Sequence, residues 1–264
     1  MSLSLTILGC GSSGGVPRIG GLWGACDPQN PKNKRLRCSA LLERKGPNGT
    51  TTVLIDTSPD MRQQLLDAQV SHLDGVVYTH AHADHVHGID DLRQVVFAMR
   101  ARVKVWADKD TQDDLISRFG YAFIQPPGSD YPAILDLHTI DGAITIDGAG
   151  GPITLTPIKV NHGRIDALGF RIGDLAYIPD VLNIFDESWQ LLDGLGTFVI
   201  DALRYDPHPS HAHLARTLDW IERLKPSTAV LTNMHIDLDY DRLDAETADH
   251  IIPAHDGQVI QIKD

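Results

Sequence analysis

The sequence predicts a layered α/β fold in one domain spanning residues 1–264, and three observations carry that reading. Short β-branched runs recur along the chain, and stretches of helical character lie between them. Of the 264 residues 42% are hydrophobic, enough for one large core. No repeat, low-complexity tract or linker divides the chain.

The elements follow in order. Residues 5–8 read as an opening strand that runs into the glycine-rich loop 9–15, whose Ser12, Ser13 and glycines either offer backbone N–H groups to a phosphate or form a tight turn. Residues 51–55 are a β-branched strand ending at Asp56. A helix follows over 59–68, with Pro59 near its start and Met61, Leu65 and Ala68 on one face. Residues 76–79 are a short apolar strand, and 103–106 another. A helix over 111–119 is expected to be capped by Thr111 or Asp110. Residues 153–160 form a strand leading to His162. Residues 168–172 and 175–178 form a hairpin around Gly173 and Asp174, ending at Asp180. Residues 197–200 are a strand ending at Asp201, 213–224 a helix, 229–232 a strand, and 259–262 a strand that closes a sheet. Asp56, His80, His162, Asp180, Asp201 and His235 thus each lie just past a strand, where they can converge at one rim.

Charge and composition narrow the function. The net charge of −12 argues against a general nucleic-acid scaffold, which wants a basic surface, but leaves room for a small phosphorylated substrate. No apolar run approaches the roughly 20 residues that span a bilayer. Residues 1–10 read as a first strand and not a signal peptide, so a cytoplasmic protein is expected. The three cysteines, Cys10, Cys26 and Cys38, do not make a disulfide framework. Cys26 and Cys38 could be half of a structural zinc site. No further Cys or nearby His completes four ligands, and ordinary free thiols are expected.

The chemistry-bearing string is His80-x-His82-x-Asp84-His85, directly after the 76–79 strand. Imidazole and carboxylate suit zinc, manganese or iron. In an extended backbone His80 and His82 point to one side and chelate one ion. If a helix starts near Asp84, then Asp84 and His85 turn toward a second. His162, Asp180 and His235 are the strand-end residues that would finish the two sites.

That string, followed in order by His162, Asp180 and His235, resembles the metallo-β-lactamase superfamily along nearly the whole chain. The resemblance implies a four-layer αβ/βα sandwich, two mixed sheets flanked by helices, with a dinuclear metal site at one sheet edge. Segments 8–17 (LGCGSSGGVP), 23–26 (WGAC), 37–39 (RCS) and Asp256-Gly257 look most like the phosphodiesterase branch, which includes tRNase Z and a cyclic-phosphate phosphodiesterase. Under that resemblance His80, His82 and His162 hold one divalent ion, Asp84, His85 and His235 the other, and Asp180 bridges them. An ungapped alignment over 210–232 puts the final ligand on Asn233, and His235, two residues on, is assigned its place. The same alignment puts a proton donor on His211, with His213 a second candidate and His208 a third. Asp84 would also orient the nucleophile. Asp56 is a candidate partner for a ligand's second nitrogen. Arg18, Arg37 and Arg204 are candidate phosphate contacts.

The expected activity is hydrolysis of a small phosphodiester, a cyclic sugar phosphate or nucleotide, by two Zn²⁺ or Mn²⁺ ions, with Fe as a third choice. The alternatives are a tRNase Z-like endonuclease, against which the short acidic stretch 180–201 counts because it leaves no room for a basic tRNA-clamping arm, and a thioester or lactone hydrolase. The sequence permits a homodimer.

Overall fold

The structure, a computed structural model, describes residues 2–263. Its first half builds one sheet from β1 (Ser2–Gly9), β2 (Ser39–Gly46), β3 (Gly49–Ile55), β4 (Gly75–Val77), β5 (Val103–Ala107) and β6 (Leu135–Thr139). The second half builds another from β7 (Ile144–Ile146), β8 (Ile153–His162), β9 (Ile165–Ile172), β10 (Leu175–Ile178), β11 (Asn183–Ile184), β12 (Thr197–Asp201), β13 (Thr228–Thr232) and β14 (Ile251–Pro253). The last strand, β15 (Val259–Ile262), returns to the first sheet and pairs antiparallel with β1. The helices are α1 (Met61–Asp67), α2 (Ala83–Val86), α3 (Leu92–Met99), α4 (Lys109–Phe123), α5 (Leu214–Leu224) and α6 (Tyr240–Glu246).

The first sheet runs β15-β1-β2-β3-β4-β5-β6, and the second β11-β8-β9-β10-β12-β13-β14 with β7 beside β8. Both are mixed in the same way. Hairpin neighbours β1, β2 and β3 are antiparallel, then β3 to β6 run parallel; β8, β9 and β10 are antiparallel, then β10 to β14 run parallel. One apolar cluster fills the space between the sheets, with Leu5, Ile7, Val53, Ile158, Phe170, Tyr177 and Phe198 all buried. A second lies between the first sheet and its helices, built on Leu41, Leu54, Met61, Val76, Leu92 and Leu115. The helices α5 and α6 follow β12 and β13 and pack on the second sheet. This is the four-layer αβ/βα sandwich that the resemblance implies.

Period-two alternation places the key residue of β8. Ile158, Val160 and His162 are buried on one face, so the imidazole is the last inward position of the strand and lies inside it, not in a loop beyond it. The helix α4 starts earlier than expected. Its cap is Asp108, whose carboxylate accepts from Thr111 N–H at 2.9 Å. The three thiols are free and buried, and Cys26 and Cys38 meet different groups: Cys26 Sγ donates to the Ile236 and Leu238 carbonyls, whereas Cys38 Sγ lies 3.8 Å from Thr232 Oγ1.

One carboxylate ties the ends of the chain together. Asp256 Oδ1 accepts from Cys10 N–H at 3.1 Å, and Oδ2 from Leu36 N–H at 2.7 Å. Burial pushes this carboxyl up to about 6 from the ordinary 3.8. The folded state therefore takes up the proton before the unfolded chain does. The contribution to stability is fully present below about pH 4 and is lost as pH rises through about 6, a difference of roughly 3 kcal/mol. Asp256→Asn should flatten the fall in urea midpoint between pH 4 and pH 7. An unchanged slope would remove Asp256 as its source.

Candidate metal centre

Strand ends from both sheets meet at one rim. The ends of β3 and β4 bring Asp56, Thr79 and His80; β8 brings His162; the adjacent parallel strands β10, β12 and β13 bring Asp180, Asp201 and Asn233. A hydrogen bond from Leu168 N–H to Thr79 O, 2.9 Å, joins the two sheets at this point. The carboxyl ends of parallel strands are where open α/β sheets gather ligands.

His82 precedes α2 in extended backbone, His80 lies two residues before it, and Asp84 and His85 fall on the helix's only turn. Ligand atoms of His80, His82 and His162 lie within 4.8 Å of one another, as do those of His80, His85 and Asp180. His82 Nδ1 and His162 Nε2 are 3.1 Å apart. Tetrahedral bonds of 2.0–2.1 Å to one zinc ion would set two such nitrogens about 3.3 Å apart. Asp180 faces both ways. Its Oδ1 is 3.1 Å from His85 Nε2, and its Oδ2 is 3.5 Å from His162 Nε2 and 3.9 Å from His80 Nε2. Asp84 Oδ2 is 3.6 Å from His85 Nε2.

The second nitrogens of His85, His80 and His162 are held. His85 Nδ1–H donates to Asp56 Oδ2 at 2.7 Å; His80 Nδ1–H is 3.0 Å from Thr79 Oγ1, which itself donates to Asp56 at 2.7 Å; His162 Nδ1–H donates to the Ser210 carbonyl at 2.6 Å. The bonds fix each ring and leave its other nitrogen aimed at the rim. His80 Nε2 and His85 Nε2 are buried there and make no hydrogen bond among the described residues. Burial of a basic nitrogen without a partner is costly unless a cation fills the space.

The electrostatics agree. Burial holds His80 well below its ordinary value and brings His162 down to about 4, so both offer lone pairs. Burial would also lower His85, but Asp180, Asp56 and Asp84 surround it and raise it well above. Three carboxylates around one imidazole create a demand for positive charge at that spot. Burial alone would raise Asp180, and the facing His85 holds it well below the carboxylate range. The residues present therefore fit divalent ions.

Some placements differ from the sequence reading. His235 does not join the rim. Its ring is taken by Asp237 Oδ2, 2.8 Å from Nδ1, and by Arg18, which donates to Nε2. Asn233 stands where the ungapped alignment put it, fully buried beside Asp180. The reason is local: Asn233 has φ 58°, a left-handed turn directly after β13, and the chain then leaves the rim. His213 caps α5 and belongs to none of the three ligand groups. His211 does. Its Nδ1 lies 3.8 Å from Asp180 Oδ2 and donates to Asp201 Oδ2 at 2.8 Å. Burial would lower His211, yet Asp201 and then Asp180 raise it to about 9. Burial in turn lifts Asp201 to about 7. The partner role of Asp201 was not read from sequence, although its strand-end position was the available signal. The glycine-rich loop forms the tight turn: Gly15 N–H bonds Ser12 O at 2.7 Å, and Gly11 and Ser12 N–H bond Leu36 O and Met234 O. Gly11 is obligatory, because a Cβ there would lie 2.9 Å from the Arg35 side chain and its carbonyl.

Comparison with known proteins fits this geometry. A family model described as a beta-lactamase superfamily domain matches residues 51–236. The chain belongs to the metallo-β-lactamase superfamily. It is a metal-dependent hydrolase and sits in the PhnP-like branch: a solved structure described as a new diphosphatase from the PhnP family is 34% identical, covers 99% of this chain and 98% of its own, and superposes with a TM-score of 0.87. Zn²⁺-bound PqqB from Methylobacterium extorquens (17% identity, TM-score 0.75, 97% of this chain and 99% of that one) and the short form of human tRNase Z (14%, 0.67, 99% and 100%) share the fold. An octanoyltransferase of Porphyromonas gingivalis is 32% identical over 254 residues, 95% of this chain and 50% of that protein. The chain thus spans about half the length of the curated relative it matches. Among the described residues no helix is long and apolar enough to cross a membrane.

Proposed function

We propose that the protein hydrolyses a small phosphodiester, using two divalent ions of the Zn²⁺ or Mn²⁺ class held by His80, His82, His162, Asp84, His85 and Asp180. A bound ion lowers the pKa of its water from 15.7 to about 7 and neutralises charge on a phosphoryl oxygen. The protein side chains supply the rest. Asp180 lies between the two ligand groups and sets their separation. Asp84, on the first turn of α2, is placed to orient the attacking water. His211, with Nδ1–H fixed by Asp201, has Nε2 left to give a proton to the leaving oxygen.

The observation that favours phosphate is a pair of guanidinium groups, Arg18 and Arg204, beside the histidines that adjoin His211 in an acidic protein. The His208 ring lies 5.1 Å from that of His211. The charge of Arg204 acts on both His208 and His235, and Arg18 donates to His235. Among the described residues Arg18 meets no carboxylate. A guanidinium that meets no carboxylate, held by His235 two residues along the chain from Asn233, suits an anionic substrate.

Acyl transfer finds no such support. Burial raises the thiols of Cys10, Cys26 and Cys38, which leaves none of them activated as a nucleophile. The deciding measurement is turnover of bis-p-nitrophenyl phosphate, 2′,3′-cyclic nucleotides, a thioester and a lactone, each with Zn²⁺ or Mn²⁺. Phosphodiester turnover that disappears with a chelator and returns with metal is expected. Silence on every phosphodiester beside strong thioester turnover would reject the proposal.

A further inference from the structure

Asn233 breaks the symmetry of the two ligand groups. Its Nδ2 donates to the Pro179 carbonyl at 3.0 Å and to Asp180 Oδ1 at 3.3 Å. A carbonyl only accepts, so the first bond fixes which end of the amide is nitrogen. Asp180 Oδ1 is also the oxygen that faces His85 Nε2. The amide therefore presents a hydrogen, not a lone pair, to the carboxylate that serves the second ion, and Asn233 is 1% exposed. The position that would complete the second site holds a donor to a ligand instead of a ligand.

What remains is unequal. The first group has three imidazoles, His80, His82 and His162. The second has one imidazole, His85, and two carboxylates, Asp84 and Asp180. Imidazole-rich sets suit zinc, whereas carboxylate and water suit manganese and magnesium.

We propose that Asn233 makes the metal centre asymmetric: His80, His82 and His162 hold a tightly bound zinc ion, and Asp84, His85 and Asp180 hold a harder, exchangeable ion of the Mn²⁺ class. This rests on the metal-hydrolase reading and adds to it. The two ions differ in identity and in lifetime on the protein, and the harder one is lost first.

The test reads metal directly. Protein loaded with zinc and dialysed against a mild chelator should keep about one zinc ion per chain, and titration with Mn²⁺ followed by electron paramagnetic resonance should report about one bound Mn²⁺ in addition. Asn233→His places an imidazole at a residue type that the left-handed backbone accepts. It should raise retained zinc to about two per chain and cut Mn²⁺ uptake at least tenfold. Asp84→Asn should lose the Mn²⁺ signal and keep the zinc. Two zinc ions of equal affinity in the wild type, or an unchanged content in Asn233→His, would overturn the asymmetry and leave the hydrolase reading intact. A wild type that binds no metal would overturn both.

Discussion

His211→Ala should lower kcat on a 2′,3′-cyclic nucleotide by about 10²–10⁴-fold while changing turnover of bis-p-nitrophenyl phosphate little. The split follows from the leaving groups. A ribose alkoxide must be protonated as it departs, whereas p-nitrophenolate leaves without help. His211 is the residue of the rim proposed for that task. Its ring stands edge-on to His162 at 4.5 Å, so it touches the same space as the three-imidazole group. Its Nδ1–H is spent on Asp201, and Asp201 Oδ2 also accepts from Val181 N–H at 3.1 Å, which ties the ring to the strand end that carries Asp180. A proton on Nε2 would therefore be delivered from a fixed position. Steady-state kcat and KM on the two esters, with metal content measured beside them, check the result. Equal losses on both esters together with lost metal would place His211 among the ligands, a role its grouping with His162 and Asp180 also allows geometrically.

The legibility of this site follows from which contacts are local. The string from His80 to His85 could be read because strand, turn and helix start lie within a few residues. His162 was legible from its place just past the apolar run of β8, although the strand runs two residues further than that run suggests. His235 shows where such reading stops. One left-handed residue at Asn233 decides which side chain faces the rim, and the partners that draw His235 away, Arg18 and Asp237, include one that lies over two hundred positions upstream. The missed elements have similar causes. The strand β2 is buried through Leu42 and then continues as Glu43, Arg44 and Lys45, so charge hides its outer half. It is held by pairing with β1 on one side and β3 on the other, and neither pairing is visible in a window of sequence.

Asp56→Asn should weaken metal binding by about 10–100-fold and destabilise the metal-free protein by roughly 1–3 kcal/mol. This carboxylate is fully buried, and its two oxygens accept from three donors: Thr79 N–H at 2.8 Å, Thr79 Oγ1 at 2.7 Å and His85 Nδ1 at 2.7 Å. Through Thr79 it also sets the ring of His80, so one side chain orients an imidazole in each ligand group. Asparagine is the informative replacement because Asp56 has φ 63°. Alanine there would add roughly 1–2 kcal/mol of backbone strain unrelated to the site. The amide keeps one accepting oxygen and sets an NH₂ against a donor. With nitrogen at the Oδ2 position, His85 Nδ1 and Thr79 Oγ1 lose their shared acceptor, and both ions weaken. With nitrogen at the Oδ1 position only the Thr79 backbone N–H loses its partner, and the loss is one of stability. Competition against a chromophoric chelator resolves two affinities in one titration and shows which. Urea unfolding of the metal-free protein gives the structural part separately, and Thr79→Val, which removes the link to His80 and spares His85, should reproduce only the loss at the first ion. Full metal affinity in both variants would mean that packing alone orients the rings.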